Sequence, residues 1–217
     1  MIRRSLLLAA LLAASALAPS ARAGLIVGNL AESQDSFDAV NATLFSAQRF
    51  TTDGQGYFLT SITAILQAGG PSVSEVARLY TDAGASPGTL IATFDTPTIP
   101  TDAATQVTFT PTSPTIVLAA NTTYDFVLGA APGSDNYVWY STTSASSFGP
   151  GSLGGSSASF DGGATYFDNG FNYLIRVDGN VQSVPEPASV TLAGLGLLGV
   201  AAAPRRKARK AAATGRS

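Results

Sequence analysis

The sequence predicts an all-β fold: a jelly-roll-like β-sandwich of about nine strands, flanked by an N-terminal signal helix and a C-terminal short transmembrane helix. Three observations lead to this. Apolar residues in 24–183 recur with a period of two, which places them on one face of a half-buried strand. Clusters of Gly, Pro, Asn and Asp separate these stretches, as turns require. No stretch of this region carries a long 3.6-residue pattern. Only 12% of the 217 residues are charged and 22 are Gly, which does not suit a helical bundle or a coiled coil.

In chain order, the strand candidates are 57–66, 75–81, 90–94, 107–109, 115–119, 123–128, 137–142 and 171–177. Leu90, Ala92 and Phe94 alternate with less apolar neighbours, as do Val107 and Phe109, and Tyr124, Phe126 and Leu128. Phe171, Tyr173, Ile175 and Val177 alternate with Asn172, Leu174, Arg176 and Asp178, which reads as one strand. Turns are expected at Gly69-Gly70-Pro71, Asp82-Ala83-Gly84, Ser86-Pro87-Gly88, Pro132-Gly133-Ser134-Asp135, Asp161-Gly162-Gly163 and Asp168-Asn169-Gly170. Residues 141–160 interrupt the pattern. Fourteen of these 20 are Ser, Thr or Gly, which predicts a long mobile surface loop.

Both ends differ from the middle. Residues 24–183 hold three basic and 13 acidic residues, a net charge of −10, and all 19 aromatics. Residues 1–23 read as a signal peptide: Arg3 and Arg4, then an apolar run over 6–17, then the small-x-small site Ala21-Arg22-Ala23. Cleavage by signal peptidase after Ala23 leaves Gly24 first. At the other end Pro185 and Pro187 exclude helix interior. An uninterrupted apolar run over 190–203 follows, about 21 Å long at ~1.5 Å per residue, shorter than a ~30 Å hydrocarbon core. Arg205, Arg206, Lys207, Arg209 and Lys210 then form a basic cluster, which stays cytoplasmic under the positive-inside rule. The expected organisation is a signal peptide over 1–23, an extracytoplasmic domain over 24–183 and a tail over 184–217. The precursor is then anchored in the inner membrane through its tail, with the domain outside.

Pro185-Glu186-Pro187, the short apolar helix and the basic cluster, in that order, resemble the PEP-CTERM sorting signal of Gram-negative bacteria. The resemblance implies recognition of Pro185, Glu186 and Pro187 by exosortase, and export to the cell surface or the extracellular polysaccharide matrix. Residues 77–90, from Ala77-Arg78-Leu79-Tyr80-Thr81-Asp82 to Pro87-Gly88-Thr89-Leu90, resemble the "LY.D..G.PG..L" stretch of choice-of-anchor R domains. Leu118-Ala119-Ala120-Asn121-Thr122-Thr123-Tyr124 is similar to that family's "L.AGTTYW" stretch, with Asn121 in the place of Gly. This second resemblance implies an anchored surface domain and assigns no site.

Several chemistries are excluded or disfavoured. With no Cys and no His, the chain forms no disulfide, no Cys/His zinc site and no triad with a His base. Gly149-Pro150-Gly151-Ser152-Leu153-Gly154 matches G-x-G-x-x-G in letters, but Ser-rich sequence on both sides offers no βαβ unit to aim it at a pyrophosphate. No catalytic residue and no required cofactor is assigned. The leading expectation is a non-enzymatic exported protein of the surface or matrix. An alternative is a carbohydrate-binding or adhesive module, with extracellular polysaccharide as partner and Ca²⁺ as a cofactor. Its candidates are Tyr137, Trp139 and Tyr140 for stacking, and Asp161, Asp168 and Asn169 as oxygen ligands for Ca²⁺. Alternation sends Tyr137 and Trp139 to one face and Tyr140 to the other. A third expectation is a secreted hydrolase using a carboxylate pair. Nucleic acid is excluded as a partner by charge. Residues 24–183, expressed alone, should show no salt-sensitive retention of duplex DNA in a mobility-shift titration; retention that falls as salt rises would overturn the charge reading.

Overall fold

The structure is a computed structural model that describes residues 23–84 and 86–182. The expected signal helix and the expected transmembrane helix of the tail lie outside these residues. No helix occurs among the described residues, and none there is long and apolar enough to cross a membrane.

Fourteen strands follow one another: β1 (Gly24–Gly28), β2 (Ser36–Val40), β3 (Phe45–Thr51), β4 (Tyr57–Ala68), β5 (Glu75–Asp82), β6 (Pro87–Thr93), β7 (Thr105–Phe109), β8 (Val117–Leu118), β9 (Thr123–Ala130), β10 (Tyr137–Thr142), β11 (Ser152–Ser159), β12 (Phe167–Asp168), β13 (Asn172–Tyr173) and β14 (Ile175–Val181). They form two antiparallel sheets. One has the order β1-β14-β4-β10-β13, with β2 on β10 and with β7 and β8 on β4. The other has the order β12-β11-β3-β9-β5-β6. The sheets face each other as a sandwich. Phe126 of β9 meets Trp139 of β10 edge-on at 5.9 Å between ring centroids, and lies 5.7 Å from Phe109 of β7.

Four expectations are corrected. The strands number fourteen rather than about nine, since β1, β2, β3, β11 and β12 carry too little alternating apolar character to stand out. Residues 141–160 are not one loop. β11 lies within them, paired with β3 over Ser152↔Thr51 to Ser159↔Phe45. Ser156, Ser157, Ala158 and Ser159 are buried there, because small side chains let other chain segments pack closely over both faces of the strand. Residues 171–177 are not one regular strand. They pair with β10 through Asn172 and Tyr173, then switch to β4 from Ile175 onward. Leu174 sits at the switch: its N–H donates to Tyr140 O (2.9 Å), and its carbonyl accepts from Ile65 N (3.3 Å) and from Trp139 Nε1 (3.1 Å). Every backbone group at this break therefore has a partner, as burial demands. Pro87 and Gly88, expected in a turn, instead begin β6 at the edge of its sheet, where a residue without an N–H is tolerated.

Other turns fall where Gly and Asn allow them. Gly84, Gly133, Gly162, Gly163 and Gly170 all have φ between 71° and 93°, and Asn121 has φ 50°. Asn is among the few side chains that tolerate this left-handed geometry. Inside a strand, Gly129 has a different reason: a Cβ there would collide with the ring of Phe45.

Trp139 is fully buried, stacks on Tyr173 at 4.3 Å and joins the two sheets. Trp139→Ala should therefore cost about 3–5 kcal/mol in denaturant unfolding. Phe37→Ala, on an exposed ring, should stay within about 0.5 kcal/mol of the parent. Similar costs for the two variants would remove Trp139 from the centre of the core.

Candidate functional site

The sequence-derived candidates separate sharply. Tyr137 and Trp139 are core residues with no exposed ring face. The Tyr137 hydroxyl donates to Gly129 O (2.7 Å). Tyr140 is on the other face, where it pairs with the exposed ring of Phe37 at 5.7 Å and 58°. The Tyr140 hydroxyl donates to Gln67 Oε1 (2.8 Å), and Gln67 Nε2 donates to Thr101 O (3.1 Å). This face borders a shallow depression of about 310 Å³. Its amide is already committed and its rings are not coplanar, so it offers no continuous stacking platform.

The Ca²⁺ candidates do not converge. Asp161 is a turn residue: its carboxylate accepts from Ala164 N, Thr165 N, Thr165 Oγ1 and Ser159 Oγ at 2.7–3.0 Å. Those donors hold it down to about 2, below the usual carboxylate range. Asp168 is exposed in β12. Asn169 turns its amide nitrogen to Tyr173 and Asp38. Among the described residues no group of three or more Asp or Glu is placed to hold a metal ion. Ala23 and Gly24 of the expected cleavage site are described, with Gly24 opening β1. Ala21, Pro185, Glu186, Pro187, Arg205, Arg206, Lys207, Arg209 and Lys210 lie outside the described residues.

A site the sequence did not mark lies between the sheets, at the β2 side. In register Asp38 of β2 pairs with Trp139 of β10, so its side chain faces the sandwich interior alongside the indole. Its carboxylate meets the hydroxyl of Tyr173, the ring stacked on Trp139. Burial and the adjacent carboxylate push that hydroxyl far up, so it remains protonated and donates to Asp38 Oδ2. It also accepts from Asn169 Nδ2 (2.9 Å) and lies 3.0 Å from Ser46 Oγ of β3. Asn169 Nδ2 reaches Asp38 Oδ2 as well, at 3.3 Å. Asp38, Ser46 and Asn169 line a cavity of about 160 Å³ whose walls include Phe45, Phe160 and Phe171. At its rim Phe160 and Phe167 are exposed and pack on each other at 6.3 Å. One signal could have found it: Ser36, Asp38 and Val40 form one rank of β2, and a charge on a rank that ends in a buried Val is unusual.

A second ionic cluster lies on the far face of the other sheet. Arg49 of β3 pairs in register with Asp125 of β9. Arg49 Nε lies 3.1 Å from Asp82 Oδ1 and 3.6 Å from Asp125 Oδ1. Asp125 is only 1% exposed and both its oxygens lack a hydrogen-bond donor. Burial pushes it up to about 7, partly offset by Arg49 and reinforced by Asp82. Tyr80 pairs with Asp125 across β5–β9, and Arg78 and Tyr166 complete the polar surroundings.

Residues 183–207 match the PEP-CTERM protein-sorting motif. The motif implies an exported protein addressed to exosortase, in the envelope or at the surface of a Gram-negative cell. No curated protein matches the chain. Among solved structures it is similar to a chain of "Structure of infectious bursal disease virus Gx strain", at 13% identity and a TM-score of 0.27. That similarity covers 82% of this chain and 49% of the viral one, so this chain spans about half the length of that protein.

Asp125 sets a pH dependence. The folded state binds its proton more tightly than the unfolded chain, whose carboxylates titrate near about 4. Its contribution is complete below about pH 4 and is lost as pH rises through about 7. Burial raises Glu75 in the same direction. Asp35 and Asp161 are shifted down by hydrogen bonds, so their contributions are lost as pH falls below the unfolded range. Melting temperature should therefore fall from about pH 5 to about pH 8, and Asp125→Asn should remove most of that slope. An unchanged slope in the variant would show that Asp125 ionises freely in the fold.

Proposed function

We propose that the protein is a non-enzymatic component of the cell surface or extracellular matrix, and that exosortase releases its β-sandwich by acting at Pro185-Glu186-Pro187. The sorting motif over 183–207 carries this reading. Signal peptidase first removes residues 1–23. The apolar run over 190–203 and the cluster Arg205, Arg206, Lys207, Arg209 and Lys210 then hold a membrane-anchored precursor, and processing discards them. The domain over 24–183 is read as choice-of-anchor R-like and jelly-roll-like. Support comes from the quoted sequence stretches and from a chain that passes back and forth between the two sheets.

Carbohydrate binding is the second reading, favoured by the aromatic-walled cavity at Asp38 and Asn169. Hydrolysis has less support. Asp82 and Asp125, which are brought together, share one arginine, and Asp125 is shut away from solvent.

Replacing Pro185, Glu186 and Pro187 with alanine should leave export intact and trap a membrane species. That species should be about 3 kDa heavier than the processed one, since roughly 30 residues are retained from a chain of 22.0 kDa over 217 residues. Intact mass of the protein from its native host is the deciding measurement. A mature mass that still includes residues 205–217 would make the tail a permanent anchor and overturn the reading.

A further inference from the structure

We propose that the cavity between β2 and β3 binds a single uncharged pyranose unit, held by two hydroxyl donors on Asp38 and Asn169 and by its apolar face on Phe160. This inference rests on the second reading above, and names the site and the ligand class.

The acceptors decide the chemistry. Inside the cluster, Asp38 uses Oδ2 to accept from Tyr173 and Asn169, and Asn169 uses Nδ2 to donate to Tyr173 and Asp38. Their other oxygens, Asp38 Oδ1 and Asn169 Oδ1, accept nothing from the described residues, and both residues line the cavity. Two open acceptors on side chains that touch each other, Asn169 Nδ2 lying 3.3 Å from Asp38 Oδ2, call for a ligand with two neighbouring donors that is itself uncharged or cationic, and a vicinal diol meets that need. The Tyr173 hydroxyl locks both groups from behind, so they are already in place before a ligand arrives.

The walls decide the shape. Phe45, Phe160 and Phe171 give the cavity aromatic sides over a polar floor, the combination that grips a ring with polar edges and an apolar C–H face. About 160 Å³ is the room of about five waters at ~30 Å³ each, the scale of one small ring rather than of an oligosaccharide. Exposed Phe160 and Phe167 at the rim extend the apolar wall outward, towards the next unit of a chain.

Charge narrows the class. Residues 24–183 carry a net −10 with no Lys, and Asp38 is itself an acid. Uronic acids and sulfated sugars would meet repulsion with no cation to offset it, because no Arg lines the cavity.

The test is saturation-transfer NMR and calorimetry on the purified full chain. The probes are the methyl glycosides of glucose, galactose, mannose and N-acetylglucosamine, with methyl glucuronide as the charged control. At least one neutral glycoside should bind and the glucuronide should not. Asn169→Ala should weaken binding about tenfold by removing an acceptor from a partly buried site. Phe160→Ala changes an exposed ring, so its effect on stability should stay small, and with the melting temperature of the variant matching the parent it should weaken binding about threefold. Tyr140→Phe, on the opposite face, should bind like the parent. Absence of binding by every neutral glycoside overturns the proposal. So does equal or tighter binding of the glucuronide, or a loss in Tyr140→Phe that exceeds the loss in Phe160→Ala. A chain that is processed at its tail but binds no glycoside overturns this inference alone and leaves the sorting reading intact.

Discussion

The packing of Trp139 is the constraint on which the rest of the molecule depends. Its ring stacks on Tyr173, meets Phe126 of the opposite sheet edge-on, and its Nε1 donates to the carbonyl of Leu174. That last bond fixes the residue at which the chain leaves β10 for β4. The aromatic stack fixes the direction of the Tyr173 ring, and through it the hydroxyl that holds Asp38 and Asn169. A purely apolar requirement in the core thus sets the position of polar groups at the mouth of the sandwich. The link is geometric: with the Tyr173 backbone held in β13, the stack on the indole fixes the plane of the phenol and so where its oxygen lies.

The two sheets handle polar burial differently. In the first, Asn29 lies fully buried and bridges strands by giving Nδ2 to Tyr173 O and taking Ile175 N–H on Oδ1, so both its functions are satisfied. Threonine pairs such as Thr63 and Thr108 on β4 and β7 share a hydroxyl bond at 2.9 Å across strands. The second sheet holds a charged group, Asp125, whose partner Arg49 is shared with Asp82. Breaking such a cluster leaves an unpaired buried charge, whereas neutralising its acid removes the conflict. The position costs the fold something near neutral pH that the satisfied Asn29 does not.

Much of the fold was legible because turn chemistry is local. The Gly, Asn and Asp clusters fell at left-handed turns since few other residues adopt that backbone, and the alternation at 137–142 separated Tyr140 from Trp139 correctly in sequence alone. β11 was illegible for a physical reason. Its burial comes from serines that fit between neighbours, and Ser and Gly look the same in a packed strand as in a loop. The cavity was illegible for another reason: Asp38 and Tyr173 are 135 residues apart and come together only through the β2–β10–β13 arrangement. The charge of Asp38 within a core-facing rank was visible, but nothing local said what it met. The tail was the opposite case, readable from order and composition alone.

The inward direction of Asp38 has a consequence for behaviour at high concentration. Among the described residues β2 pairs on one side only, with β10, which leaves the other side of its backbone open. An open strand edge is a template for the same edge of a neighbouring molecule. A stacked second copy would have to shut the cleft over Asp38 and set its carboxylate against the identical one, with no lysine anywhere in residues 24–183 to neutralise either. An inward-facing charge on an open edge strand disfavours such pairing. A surface crowded with many copies could then keep them as separate particles rather than as a fibre.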